Sequence, residues 1–170
     1  MLKIKKLMVG LLAGAMLATG CSSVSSTTSD GEAQAESKSI IYENMDAGLK
    51  IYESNQWTLE QEVFTRNLNA TFQYETVKAI VSLIPSEKSM DQIKQELQLG
   101  DGLITILEEN DYFFSFHTNQ KEGIRSDLFL VHDQGKTLIV TFMSPMDDFE
   151  RYQEDMNQFK NNIKLTEQES

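Results

Sequence analysis

The chain has 170 residues, with 26 Asp and Glu against 15 Lys and Arg, and its formal net charge is −11. A field of this sign repels the phosphates of nucleic acids, so nucleic acid is excluded as a partner. The single cysteine, Cys21, cannot close a disulfide within the chain.

The first 20 residues have the layout of a secretion signal. Three lysines in MLKIKK precede the apolar or small run LMVGLLAGAMLA, which is too short to cross a hydrocarbon core of about 30 Å. The small residues Ala18, Thr19 and Gly20 before Cys21 resemble the lipobox of bacterial lipoproteins. This resemblance implies that residues 1–20 are cleaved off and that a diacylglycerol is attached to Cys21.

The lipobox resemblance implies a location at the cell membrane, lipid-anchored on the extracytoplasmic face. Two or three acyl chains hold such a protein without a membrane-spanning helix, because each buried methylene contributes about 0.8 kcal/mol. An ordinary cleaved signal is the alternative. Cleavage removes three lysines and no acid, so the lipid, rather than a basic patch, is expected to bind the membrane.

The composition divides the remaining chain. Residues 21–38 begin at Cys21 and continue as SSVSSTTSDGEAQAESK, which predicts a flexible tether. Aromatic and β-branched residues begin near residue 39, and residues 39–165 are predicted to form a single globular domain, a common domain size. Residues 166–170 are predicted to be a disordered tail.

The first half of this domain is predicted to contain strands and one short helix. GLKIY (48–52) predicts a strand, and NATFQYETVKAIVSLIP (69–85) predicts two strands or one long bent strand. Ser89 and Gln92 have the spacing of a capping box, with Met90, Ile93 and Leu97 on one helical face. Gly100 is expected to end this helix.

Four closely spaced strands are predicted next: LITILE (103–108), YFFSFH (112–117), IRSDLFLVH (124–132) and KTLIVTFM (136–143). The turns between them have hairpin lengths, so the strands are expected to form an antiparallel meander. Apolar residues occur on both faces of these strands. The sheet therefore needs cover on both sides.

A terminal amphipathic helix is predicted after the meander. Ser144 is expected to be its N-cap, with Pro145 at the first helical position. Spacings of three and four residues then form one apolar stripe of Phe149, Tyr152, Met156, Phe159 and Ile163.

The order of these elements resembles that of PsbP-like and DcrB-like domains. The similarity lies in GLKIYESNQW (48–57) and in GKTLIVTFMSPMDDFERYQEDMNQFKNNIKL (135–165). Glu53 stands where those domains often have proline, and Asn162 or Ile163 stands where they commonly have Ser-Phe. The resemblance implies an α+β fold, an α/β/α sandwich around an antiparallel sheet, and accessory or binding roles more often than catalysis.

His117 and His132 are the candidates for acid–base or metal chemistry. The turn at 118–123 would place His117 opposite Ile124, leaving His132 about 26 Å away along the strand. The sequence has no paired cysteines, no H-x-x-x-H and no G-x-S-x-G, and its acid clusters lack the spacing of a calcium loop. No catalytic residue, metal site or cofactor is therefore assigned.

Trp57 has two interpretations, a core residue that covers one edge of the sheet or a partly exposed contact for a partner. The function expected is a non-enzymatic binding or accessory module for a protein or small ligand at the cell envelope. The alternative is a small envelope hydrolase, whose pocket would gather His117 or His132 with acids from distant segments.

Overall fold

The computed structural model describes residues 38–99, 102–121 and 123–166. The strands in chain order are β1 (Ile40–Asn44), β2 (Leu49–Tyr52), β3 (Thr58–Phe64), β4 (Leu68–Tyr74), β5 (Val77–Ile84), β6 (Ile104–Asn110), β7 (Phe113–Thr118), β8 (Ile124–Asp133), β9 (Lys136–Pro145) and β10 (Ile163–Leu165). The helices are α1 (Met90–Glu96) and α2 (Phe149–Asn161), and a 3-10 turn (Met146–Asp148) precedes α2. No helix of this described part is long and apolar enough to span a bilayer.

The main sheet has seven antiparallel strands in the order β3-β4-β5-β9-β8-β7-β6. The predicted meander is confirmed as β6 to β9, and residues 69–85 lie in two strands, β4 and β5. A second sheet has the order β1-β2-β10. Strands β1, β3 and β10 have no counterpart among the predicted elements, and Ile163 belongs to β10 instead of the terminal helix.

Each face of the main sheet has its own apolar core. On one face, α2 and the small sheet pack over β4, β5 and β9, with Phe72, Phe142 and Phe159 among the buried side chains. On the other face, α1 packs Met90 and Ile93 against β7, β8 and β9. The predicted α+β fold, an antiparallel sheet with helical cover on both sides, is confirmed.

The capping predictions have different outcomes for the two helices. Ser89 and Gln92 form the capping box of α1, although the helix ends at Glu96 and Leu97 is exposed. Ser144 does not cap α2. It is a buried residue of β9 whose hydroxyl donates to the carbonyl oxygen of Pro145, because β9 must continue to Pro145 to pair with β8.

All described residues belong to one compact unit of the chain. The amide of Thr166 donates to the carbonyl oxygen of Gly48 at 2.8 Å, so the hydrogen-bonded region continues one residue past the boundary predicted at 165. The predicted signal and most of the predicted tether (residues 1–37) lie outside the described residues, as do residues 167–170.

Candidate functional site

A groove runs beside α2 on the face of the main sheet that this helix covers. Residues of β8 alternate between the two faces, so Asp127, Phe129 and Val131 share the α2 side. The apolar stripe of α2 packs mainly over β4, β5 and β9 and leaves this part of β8 partly open. We call the surface formed by these three residues with Lys160 and Leu165 the β8 groove.

An ion pair with a buried carboxylate and a partly exposed guanidinium forms one end of the β8 groove. The guanidinium of Arg125 donates to both carboxylate oxygens of Asp127, at 2.9 and 3.1 Å, and the hydroxyl of Ser115 donates to the same carboxylate at 2.5 Å. Asp127 is only 5% exposed. The guanidinium also lies 3.6 Å from the ring centroid of Phe149 at the start of α2, so this cluster fixes the helix against the sheet.

Lys160 lies at the middle of the groove. Its Nζ is 3.8 Å from the ring centroid of Phe129. Burial lowers the pKa of Lys160, while the negative charge of Asp127 acts in the opposite direction. Asp127 is already neutralised by Arg125, and no carboxylate among the described residues lies within ion-pair distance of Nζ. The ammonium is therefore partly dehydrated without a direct counter-ion.

The other end of the groove is an apolar trough of about 360 Å³. Its apolar lining consists of Phe129, Val131, Leu138, Val140, Ile163 and Leu165. Lys160 and Asp133 supply charged groups around it. His132 and Lys164 also border the trough, but strand alternation directs their side chains to the other faces of β8 and β10, and Nε2 of His132 bonds the carbonyl oxygen of Lys88. A mostly apolar concavity with a few charged groups, at the lower end of the 300–1,000 Å³ typical of small-molecule sites, has the composition of a binding site.

Trp57 lies in the core. The indole is 4% exposed, and its ring centroid is 4.5 Å from that of Phe159 and 5.5 Å from that of Tyr74. This packing agrees with the interpretation of Trp57 as a core residue. A direct partner contact would require the surrounding aromatic side chains to move.

The two histidines do not form a joint site. His117 pairs with Arg125, so the expected pairing with Ile124 is wrong by one residue. Its Nδ1 lies 3.2 Å from the carbonyl oxygen of Thr118, and Nε2 of His132 lies 2.9 Å from that of Lys88. In the part of the chain that is described, neither histidine bonds a carboxylate, and no group of three His, Cys, Asp or Glu could hold a metal ion.

Acidic residues near the end of β6 and before the start of α2 are engaged in local structure. Glu109 pairs with Lys94 of α1, and Asp148 accepts a hydrogen bond from the hydroxyl of Thr76 at 2.9 Å. Cys21, the predicted lipidation site, lies outside the described residues.

The β8 groove was not predicted from the sequence. One feature of the sequence indicates the ion pair: Arg125 and Asp127 are two residues apart in a predicted strand, so their opposite charges lie on one face. No local sequence pattern predicts the trough, because Lys160 and Val131 come to line one cavity only when α2 and β10 pack beside β8.

No family model matches the sequence, and no curated protein matches it significantly. Among solved structures, the chain is similar to the cyanobacterial PsbP protein (CyanoP) of Synechocystis at 9% identity and a TM-score of 0.46, covering 73% of this chain and 90% of that one. It is also similar to the Ran-binding protein Mog1p of Saccharomyces cerevisiae, at 9% identity and a TM-score of 0.48, over 77% and 97% of the two chains.

LpqN of Mycobacterium tuberculosis, a protein involved in cell envelope biogenesis, is a third neighbour, at 11% identity and a TM-score of 0.38, over 79% and 88% of the two chains. All three TM-scores lie below 0.5, so these similarities support no argument about function. One neighbour is a PsbP protein, the group that the sequence resembles, and membership of that family stays a prediction.

Proposed function

We propose that this protein is a lipid-anchored, extracytoplasmic binding module, not an enzyme, and that the β8 groove holds its partner or ligand. The observation that carries this proposal is the position of Lys160, whose ammonium is partly dehydrated beside Phe129 at the opening of an apolar trough. A bound molecule that neutralises this charge offsets the cost of its burial.

The anchor in this proposal is the diacylglycerol predicted on Cys21. It would hold the domain near the membrane through the residue 21–38 tether, where a ligand or partner from the envelope is within reach. The hydrolase alternative is not favoured, because the described lining of the trough contains no acid from a distant segment, His117 does not line it, and the imidazole of His132 bonds the carbonyl oxygen of Lys88 on the other face of the sheet.

Affinity capture with a matched pair of variants tests the proposal. The full chain, produced in its natural envelope, is recovered from membrane extracts as the wild type, as Lys160→Gln and as Lys78→Gln. Lys78 is an exposed lysine of β5 that pairs with Glu60 and lies away from the groove.

The eluates are analysed for both proteins and small molecules. We expect a component that is retained by the wild type and by Lys78→Gln and is depleted with Lys160→Gln. Identical eluates from the two variants would contradict the proposed role of the groove.

A further inference from the structure

The trough forms where α2 ends and no longer covers β8. Lys160 lies over Phe129, and α2 ends one residue later at Asn161. Strand β8 continues beyond this level to Asp133, while β10 turns to pair with β2. Val131, the next residue of β8 on the same face, is therefore left 47% exposed above a buried apolar floor.

The floor and walls of the trough are apolar. Leu138 and Val140 of β9 and Ile163 of β10 are at most 8% exposed and belong to the core. Val131 and Leu165 border the same space. An apolar chain placed there would bury further hydrocarbon, at about 25 cal/mol per Å² of apolar surface removed from water.

Any occupant that covers Phe129 also removes water from Nζ of Lys160. A neutral or cationic occupant would increase the cost of this charge, whereas an anionic group placed on Nζ would compensate it through a charge-assisted hydrogen bond. Asp133, at the end of β8, is the acidic residue that borders the trough. Lys160 supplies the positive charge beside Phe129 on a protein whose formal net charge is −11.

We propose that the trough binds a small anionic amphiphile, with its carboxylate or phosphate on Lys160 and its single acyl chain against Val131, Leu138 and Ile163. This inference rests on the proposed function and names the class of ligand. A fatty acid and a single-chain lipid phosphate share this chemistry. The volume of about 360 Å³ favours one chain over a diacyl lipid.

The inference can be tested with short probes below their micellar concentrations. The full chain carrying Cys21→Ser, so that it has no acyl group of its own, is titrated calorimetrically with decanoate, decyl phosphate, decanol and decyltrimethylammonium. We expect saturable 1:1 binding of one or both anions, which distinguishes a fatty acid from a lipid phosphate. Decanol and the cation should bind at least about tenfold more weakly.

Three variants in the same background locate the site. Lys160→Gln is expected to weaken anion binding about tenfold, Lys160→Arg to preserve it, and Lys78→Gln to leave it unchanged. Methyl NMR shifts on binding should be confined to the trough, including Val131 and Leu138. Retention of the wild-type NMR spectrum by each variant shows that it is folded.

Two results would overturn the inference. One is the absence of saturable anion binding, and the other is binding that Lys160→Gln leaves unchanged. If captured proteins depend on Lys160 but the anionic probes do not bind, the proposed function stands and the ligand class is wrong. If both experiments are blank, both proposals fail.

Discussion

Nζ of Lys160 lies 3.8 Å from the ring centroid of Phe129, at the point where α2 ends and the apolar trough begins. Burial lowers the pKa of this amine. Asp127 of β8 acts on it through its charge, and Asp133 at the end of β8 borders the same trough. His132 and Lys164 also border the trough, with their side chains on the other faces of β8 and β10. Lys160 therefore places a positive charge beside an apolar surface.

We expect Lys160 to titrate below the usual lysine pKa of 10.5. NMR of its Cε as a function of pH measures this directly, with Lys160→Arg to assign the signal. Between the lowered folded pKa and 10.5 the unfolded chain binds more protons, so the contribution of Lys160 to stability rises with pH across that window. A midpoint at or above 10.5 would contradict the burial of the amine.

Binding of an anionic probe should show the complementary pH dependence. Affinity for decanoate is expected to fall as the pH rises through the lowered pKa of Lys160, because the amine loses its charge. Lys160→Arg should remove this fall, since the guanidinium stays charged. The dependence is measured by calorimetry, and identical pH profiles for both proteins would exclude Lys160 as the group that holds the anion.

Asp127 is expected to be a strong contributor to stability. Asp127→Ala leaves the guanidinium of Arg125 without its partner and should lower the free energy of unfolding by about 3 kcal/mol. Urea denaturation measures the change. The surface pair of Lys78 and Glu60 is the control, since Glu60→Gln should cost about 0.5 kcal/mol or less. Equal effects would show that the carboxylate of Asp127 is not buried in solution.

Replacing Ser89 and replacing Ser144 should affect helix stability differently. Ser89→Ala removes the capping box of α1 and is expected to cost about 1 kcal/mol. Ser144→Ala should leave the helical circular dichroism of α2 unchanged, because Ser144 lies in β9 and not at the N-cap. A loss of helical signal in Ser144→Ala would restore the capping role expected from the sequence.

Cys21→Ser tests the predicted anchor. Without the cysteine sulfur no diacylglycerol can be attached, so the variant should lack the acyl mass that the wild type carries. Mass spectrometry of the N-terminal fragments of both proteins measures this difference. An unmodified Cys21, or cleavage elsewhere, would remove lipid anchoring from the proposed function.

Local patterns predicted most of the main sheet and both helices. Hairpin-length turns identified β6 to β9, and the two-residue turn between β8 and β9 places Gln134 and Gly135 at φ of 49° and 75°, as such turns require. Strands with weak local signals were missed. All seven residues of β3 are exposed, so β3 lacks the alternation of buried and exposed residues that marks a strand, although it pairs with the next strand, β4. β10 has only three residues and depends on pairing with the distant strand β2.

The candidate site was less predictable than the fold. The burial of Asp127 depends on Arg125, Ser115 and Phe149, which come from two strands and a helix. In the sequence, nothing distinguishes Lys160 from other lysines near the C-terminal end of a helix. Its contact with Phe129 depends on where α2 ends over β8. The hydrophobic periodicity of the sequence does not predict that position.

Site-specific photo-crosslinking in intact cells tests the β8 groove most directly. Gln153 of α2 lines the same cleft as Asp127 and Phe129. Gln158 is exposed on another side of the same helix, and its side chain donates to Glu154. A photoreactive residue is placed at each position in separate cultures. We predict a discrete adduct from position 153 that is absent from position 158 and is lost with Lys160→Gln. Equal products from both positions, or none from position 153, would contradict the assignment of the groove as the binding surface.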